Sequence, residues 1–301
     1  MQSRIAAILM AAFTGMAAML APEGMVIKEG NTPYVTLGDD LTEEQTESVL
    51  GMLELEEDHL TEDTVEVLTA EEEQVYTDGH PELTEGSIIS CSVRTRETGG
   101  GIGVGMVNIT GSTPEMYINS LATCGMADAD VMFASPEEDP GLSGVLSAMK
   151  AYSKMNGYAL EPDVVQLATR ELILQRSIAE ESGDGTAAAV FTGLLKRVVL
   201  TNKMEEFSSV RYAATDIARQ MKIEIRDEDL SEISSLMTEI LALNPDVKAV
   251  MLQSAPLYEP ARQQHLDLTA YGIDLENDGT FFEKLRAFVA KHMEESDAEL
   301  M

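Results

Sequence analysis

The side chains able to perform acid–base or nucleophilic chemistry are few and lie far apart along the chain. The four histidines are His59, His80, His265 and His292. None is close to another, and neither His-Glu-x-x-His nor His-x-His occurs, so the sequence contains no zinc-protease motif. A serine–histidine–acid triad assembles in space and has no fixed spacing, but the Gly-x-Ser-x-Gly turn of the α/β hydrolases is absent. The sequence therefore identifies no catalytic residue, and an envelope hydrolase stays an alternative only.

Cys91 and Cys124 are the two cysteines of the chain. In an exported protein, such a pair is compatible with one disulfide. The alternative is two separate buried thiols, which behave as small hydrophobic groups. Neither Cys-x-x-Cys nor a mixed cysteine–histidine spacing is present, so no structural zinc site is predicted.

Two further segments resemble ligand-binding motifs in part. Gly99–Gly105 is rich in glycine, but no Lys-Ser/Thr follows it and the next segment has the pattern of a strand, so we interpret it as a hairpin turn rather than a phosphate-binding loop. Asp274–Gly279 resembles the first half of a calcium loop, yet its twelfth position is Leu285 instead of glutamate. No cofactor is predicted. Calcium bound by Glu56–Asp58 or Glu137–Asp139 is the alternative, because loop-built calcium sites leave no motif.

The chain is strongly acidic, with a formal net charge of −33. Residues 29–93 contain nineteen aspartates and glutamates and no lysine or arginine. The negative electrostatic field of such a chain repels the phosphates of nucleic acids and anionic lipids. It favours cations, basic peptides or a cell-wall component as partners. The simpler explanation is solubility alone, because surface charges more than ~8 Å apart are largely screened at physiological salt.

Residues 1–21 have the layout of a secretory signal peptide. Arg4 precedes an apolar run from Ile5 to Phe13, and small residues follow up to Ala18 and Ala21. The alternative is a membrane anchor, but the uncharged run is alanine-rich and marginal for a ~30 Å hydrocarbon core. We therefore expect a secreted or cell-envelope protein. No later stretch is apolar for the length of a membrane span, so none is predicted once the leader is removed.

The N-terminal half has the pattern of a small sheet with helices. Strands are predicted over 34–37, 64–69, 87–96, 102–110 and 129–134, and helices over 42–53 and 114–124. Thr42 and Gln45 form a capping box at the start of the first helix. Glu71–Glu73 are interpreted as a solvated turn. The two strands around Gly99–Gly101 are predicted to pair as a hairpin.

After Pro140 strand patterns nearly vanish. Helices are predicted over 141–155, 162–181, 185–200, 205–222, 228–243, 247–267 and 280–294. The predicted fold class is therefore α+β, with a small mixed sheet and helices in an N-terminal domain over 31–138 and an all-helical domain over 139–301.

Several segments of the chain are similar to one known family. They are Val35–Gln45, Ser90–Ser92, Val107–Thr110, Pro114–Thr123 and Val131–Pro136, with weaker similarity at Thr201–Asn202, Asp229–Met237, Tyr271–Asp274 and Phe281–Phe288. Together they resemble the YpuA-like family of predicted secreted proteins of Gram-positive bacteria, a family of unknown function. This chain departs from the family at Glu137–Gly144, where the family tends to carry a Ser-Gly-Thr-Ala run. The resemblance implies export and supplies no activity and no catalytic residue.

The sequence thus favours an exported, acidic, non-enzymatic binding protein of the cell envelope or the medium. A cryptic hydrolase and a calcium-binding protein are the alternatives.

Overall fold

The structure is a computed structural model that describes residues 32–55, 60–76 and 88–277. Its strands are β1 (Tyr34–Gly38), β2 (Val65–Leu68), β3 (Ser90–Thr95), β4 (Gly103–Ile109) and β5 (Ala129–Asp139). Its first helices are α1 (Glu43–Met52), α2 (Ala70–Tyr76) and α3 (Pro114–Thr123). The later ones are α4 (Gly144–Asn156), α5 (Pro162–Ser182), α6 (Gly185–Asn202), α7 (Phe207–Met221), α8 (Asp227–Ala242), α9 (Val247–Gln253) and α10 (Tyr258–Gln263).

The α+β class is confirmed in its main lines. The five described strands all precede residue 140, and the described residues after it form helices and short 3-10 turns. The predicted leader over 1–21 and the predicted helix over 280–294 lie outside the described residues. Among the described helices, none is both long and apolar enough to cross a membrane.

The five strands form one mixed sheet in the order β2-β1-β3-β5-β4. The pairs β1–β2 and β4–β5 are parallel, whereas β1–β3 and β3–β5 are antiparallel. All residues of β5 from Ala129 to Ser135 are buried, which suits a strand with neighbours on both sides and helices on both faces.

The predicted hairpin of β3 and β4 is wrong, because β5 lies between these two strands. The connection from β4 to β5 contains α3, and parallel neighbours need such a crossover. The glycine-rich segment is instead held by the loop before β5, since the Gly101 N–H donates to Asp128 Oδ1 at 3.0 Å.

Both faces of the sheet are covered. On one face Val35, Leu37 and Met132 pack with Val49 and Leu50 of α1 in a small cluster. The opposite face contributes to a much larger hydrophobic core that continues into the helical half. That core contains Cys91, Val131, Phe133, Tyr117, Leu194, Leu236 and Leu257. The residues before and after position 139 therefore share one hydrophobic core.

Three local predictions differ from the structure. Glu71–Glu73 belong to α2 rather than to a turn, because Thr69 and Glu72 form a reciprocal capping pair: the Glu72 N–H donates to Thr69 Oγ1 at 3.2 Å, and the Thr69 N–H donates to Glu72 Oε2 at 3.1 Å. Strand β5 continues past Pro136 to Asp139. Its pairing with β3 ends at Ala134, so the missing N–H of the proline breaks no bond of that ladder.

The third difference is in the C-terminal half. The single helix predicted over 247–267 is broken into α9, a 3-10 turn at Ala255–Leu257 and α10. Pro256 interrupts it, because proline lacks the N–H that a continuous helix would use.

Candidate functional site

A cavity of about 460 Å³ lies where three helix ends meet. The C-termini of α3 and α4 and the N-terminus of α5 surround it. Its main lining residues are Cys124, Met149, Tyr152, Asn156, Tyr158 and Glu161. The volume falls within the range of roughly 300–1,000 Å³ typical of small-ligand sites.

Local sequence features place the ends of α3 and α4 and the start of α5 at the cavity. Gly125 follows α3 and Gly157 follows α4, and both adopt positive φ angles, of 79° and 71°. Glycine adopts this left-handed conformation without the strain that a Cβ would cause. Helix α5 begins at Pro162, a residue favoured in the first turn. The chain therefore turns twice within the segment that lines the cavity.

Two tyrosine rings form adjacent walls of the cavity. Tyr152 and Tyr158 are in edge-to-face contact, with ring centroids 6.2 Å apart and planes at 73°. The Tyr152 hydroxyl is fixed, because it accepts from the Ala127 N–H at 3.1 Å and lies 3.3 Å from the Ala127 carbonyl oxygen. Tyr158 is 45% exposed, so its ring stands at the mouth.

The polar groups at the mouth favour positive charge. Glu161 is exposed at the N-terminus of α5 and makes no capping hydrogen bond. Helices α3 and α4 direct their C-terminal carbonyls toward this region, and a helix C-terminus carries partial negative charge. The last turn of α3 contains no basic residue, and Lys154 in the last turn of α4 pairs with Glu66 at 2.9 Å.

Cys124 supplies the one thiol among these lining residues, and its environment raises the pKa of that thiol. Burial and the nearby carboxylate of Glu171 raise the pKa of the thiol, and the ammonium of Lys196 opposes them only in part. The reactive form of cysteine is the thiolate. The thiol therefore contributes a polarizable surface to the cavity rather than a nucleophile.

A buried ion pair lies next to Cys124. Lys196 of α6 and Glu171 of α5 approach to 2.6 Å, with side chains 3% and 0% exposed. The Lys196 ammonium also donates to the Asn119 carbonyl at 2.8 Å and to Thr123 Oγ1 at 2.7 Å. The Thr123 hydroxyl donates to Glu171 Oε2 at 2.7 Å. Three acceptor oxygens thus surround the ammonium, which has three protons to donate. The network joins the last turn of α3 to α5 and α6.

A second buried network continues this junction. The Asn119 amide donates to Gln175 Oε1 at 2.7 Å and to the Ala189 carbonyl at 2.8 Å. The Gln175 amide donates to the Met116 carbonyl at 3.2 Å. Both side chains are fully buried, so these bonds offset the cost of removing polar groups from water. The network fixes α3, and with it the position of Cys124 at the cavity wall.

A second cavity, of about 450 Å³, lies between α7 and α8. Ala218, Ile223 and Leu230 line it together with two cationic side chains, Arg219 and Arg226. Each arginine pairs with a carboxylate of its own helix region, at Asp216 and Asp229. The lining also contains the acidic residues Glu181 and Glu224.

The disulfide allowed by the two cysteines is not formed in the structure, where both are free thiols. Cys91 lies on β3 within the core and is 0% exposed, and burial raises its pKa to about 12. Cys124 is half-buried after α3. The alternative of two separate thiols describes the structure.

The histidines considered in the sequence analysis do not come together in a site among the described residues. His265 follows α10, its side chain is 81% exposed, and its neighbouring acid is Glu276 at 3.9 Å. It lines neither cavity, whereas His59, His80 and His292 lie outside the described residues. Among the described residues, no histidine lines either of these two cavities, as the hydrolase alternative would require.

The carboxylates considered for calcium are partly used in local turns. Asp274 accepts from the Asn277 amide at 2.6 Å, and Asp139 accepts from the Gly141 N–H at 2.6 Å. Within the described ranges no group of three or more metal-ligating side chains occurs. Glu56–Asp58 lie outside those ranges.

The fold and the cavity define an α+β protein whose described part has a mixed five-strand sheet, a helical second half and a ligand-sized cavity at its helix ends. The chain belongs to the family described as "Protein of unknown function (DUF1002)", whose model matches residues 37–255.

The chain is also 28% identical over 209 residues to a Bacillus subtilis (strain 168) protein named "Uncharacterized protein YpuA". That alignment covers 68% of this chain and 71% of the relative. The resemblance to the YpuA-like family is therefore confirmed, while no solved structure matches the chain. The matched residues 37–255 contain the whole cavity and the buried ion pair, but neither comparison assigns an activity.

Proposed function

We propose that this protein is exported and acts in the cell envelope or the medium by binding a basic peptide, without catalysing a reaction. One observation carries the proposal: the cavity beside Cys124 has the size of a small-ligand site, and two tyrosine rings, an amide and a carboxylate line it. Aromatic faces, an amide and a carboxylate are groups that fix the orientation of a bound ligand.

The charge of the chain supports a cationic partner. The formal net charge is −33. Several described cations are held by neighbouring acids, as in Lys150–Glu72, Lys154–Glu66 and Arg170–Glu239. An acidic field of this kind raises the rate at which basic partners encounter the surface. It disfavours nucleic acids for the same reason.

Export is supported by the pattern of residues 1–21, with a single arginine, an apolar run and a small-residue exit. An exported chain meets peptides and wall components rather than cytoplasmic metabolites. Binding outside the cytoplasm is thus consistent with both the leader and the charge.

Isothermal titration calorimetry of the chain without residues 1–21 tests the binding function. The titrants are a glycine-flanked tetralysine peptide and the same peptide with every lysine acetylated, which keeps the aliphatic stems and removes the charge. We expect saturable one-to-one binding of the lysine peptide that weakens as salt rises, and no heat with the acetylated peptide. Absence of binding to both peptides in low salt, or equal binding of both, would contradict the proposal.

A further inference from the structure

Resting on the proposed function, we infer that the cavity beside Cys124 is the specific recognition site for one basic side chain of the peptide, with its ammonium or guanidinium group held between Tyr158, Tyr152 and Glu161. The recognised group is a cation on an aliphatic stem. The rest of the peptide lies along the acidic surface and adds affinity without selecting a position.

The tyrosine geometry is the first support. A cation binds over the face of an aromatic ring, within about 6 Å of the centroid. The rings of Tyr152 and Tyr158 stand at 73° with centroids 6.2 Å apart, so they offer two walls at nearly right angles. The hydrogen bonds of the Tyr152 hydroxyl to Ala127 hold one wall in place before any ligand arrives. Binding then requires little ordering of that side chain.

The charges around the mouth are the second support. Glu161 lines the cavity, and no ion-pair partner for its carboxylate occurs among the described residues. Lys154, in the last turn of α4, is engaged by Glu66 at 2.9 Å. The N-terminus of α5 opposes a cation, since its partial charge is positive. Glu161 and Asp163 lie at that N-terminus and compensate for it.

The apolar part of the lining suits the aliphatic stem. Met149, Leu160 and Val165 line the cavity together with the Cys124 thiol. Thioether and thiol groups are polarizable and adapt to flexible chains. A basic side chain would therefore bury its methylene groups deep in the cavity, while its charged group stays near the tyrosines and the carboxylate.

The test compares dissociation constants of the lysine peptide for matched variants. Tyr158→Ala is compared with Tyr158→Phe, which keeps the ring face, and with Tyr212→Ala, which removes a tyrosine that is 71% exposed on α7. Glu161→Gln is compared with Glu206→Gln. Glu206 also precedes a helix, is exposed and makes no capping hydrogen bond.

We expect Tyr158→Ala to weaken binding about fivefold or more, and Tyr158→Phe to retain it within about twofold. Glu161→Gln should weaken binding about two- to fivefold. Tyr212→Ala and Glu206→Gln should leave the dissociation constant unchanged. Melting curves establish that each variant is folded.

A second measurement reports on the cavity directly. Bound peptide should shift the NMR signals of the Tyr158 and Tyr152 ring protons, and the ring protons of Tyr212, which is exposed on α7, are the control. n-Butylammonium, a free amine, separates recognition of the side-chain group from recognition of a peptide: small shifts with the amine and large shifts with the peptide are expected.

The two proposals fail in different ways. If the unmodified chain does not bind the lysine peptide, the proposed binding function is wrong. Retained peptide binding with no effect of Tyr158→Ala, no effect of Glu161→Gln and no shift of the Tyr158 ring signals would leave the binding function intact and overturn the cavity assignment.

Discussion

Replacement of Lys196 by methionine tests whether the buried ion pair holds the cavity wall in place. The change removes the ammonium but keeps most of the stem volume. It deletes the contact to Glu171 at 2.6 Å and the hydrogen bonds to the Asn119 carbonyl and Thr123 Oγ1. The Glu171 carboxylate, 0% exposed, is left in the interior without its counter-charge.

The expected cost follows from that orphaned charge. Removal of one partner of a buried pair destabilises a protein by about 3–5 kcal/mol, whereas replacement of both by apolar residues is often neutral or favourable. A whole domain is stable by only about 5–15 kcal/mol, so the single variant loses a large fraction. We therefore expect Glu171→Met combined with Lys196→Met to be more stable than either single variant.

The assay is urea-induced unfolding followed by far-ultraviolet circular dichroism, because the chain contains no tryptophan. Lys154→Met is the matched control: its pair with Glu66 is 24% and 36% exposed, and exposed pairs contribute less than about 1 kcal/mol. A Lys196→Met variant within about 1 kcal/mol of the unmodified chain, or a double variant whose cost equals the sum of the singles, would refute the reasoning.

Three further predictions concern pH, calcium and export. Burial raises the pKa of the Cys91 thiol from 9.0 to about 12, so the stability it contributes is complete below pH 9 and declines as the pH rises toward 12. At pH 10 its share of the loss is on the order of 1 kcal/mol, so Cys91→Ala should reduce the fall in the free energy of unfolding between pH 8 and pH 10 by about that amount; an equal fall in both proteins would contradict this. Millimolar calcium should leave the melting midpoint where magnesium leaves it, because the loop that begins at Asp274 has Leu285 at the position of the bidentate glutamate; a calcium-specific rise would place a site among other carboxylates. N-terminal sequencing from the native host should give a first residue shortly after Ala18 or Ala21, whereas intact polypeptide in the cytosol would argue against export.

The elements that the sequence predicted well are those whose signals are local. Thr42 and Gln45 fix the start of α1 through a capping box, and the structure contains both of its hydrogen bonds. Pro114 and Gly125 bound α3, while Gly157 and Gly183 end α4 and α5. Such stops act within a few residues and are visible in a single sequence.

The order of the strands, unlike the helix ends, is not set by local signals. β5 lies between β3 and β4 in the sheet, and this order depends on burial across the whole fold. Locally, the two strands on either side of the glycine-rich segment have the same pattern as a hairpin. The missed helix α2 did carry a signal, the Thr69–Glu72 spacing of a capping box, but three consecutive glutamates suggested solvent. In the structure Glu73 is 1% exposed.

The candidate site was largely beyond prediction from the sequence. Glu171 and Lys196 are twenty-five positions apart on two helices, and each resembles an ordinary surface charge. One sequence feature does set them apart: Lys196 lies in the apolar helix α6, where it is surrounded by buried residues on both sides. The tyrosine pair comes from the end of α4 and its turn, and only the three-helix junction gives it a cavity.

Binding in the cavity is tested most directly by an NMR measurement of contacts between the bound lysine peptide and the protein. We expect intermolecular nuclear Overhauser effects from the lysine side-chain methylenes to the ring protons of Tyr158 and Tyr152 and to the methyl group of Met149, with the Tyr158 signals assigned from Tyr158→Phe. Contacts of the bound peptide confined to the cavity between α7 and α8, at Ala218, Ile223 and Leu230, would contradict it.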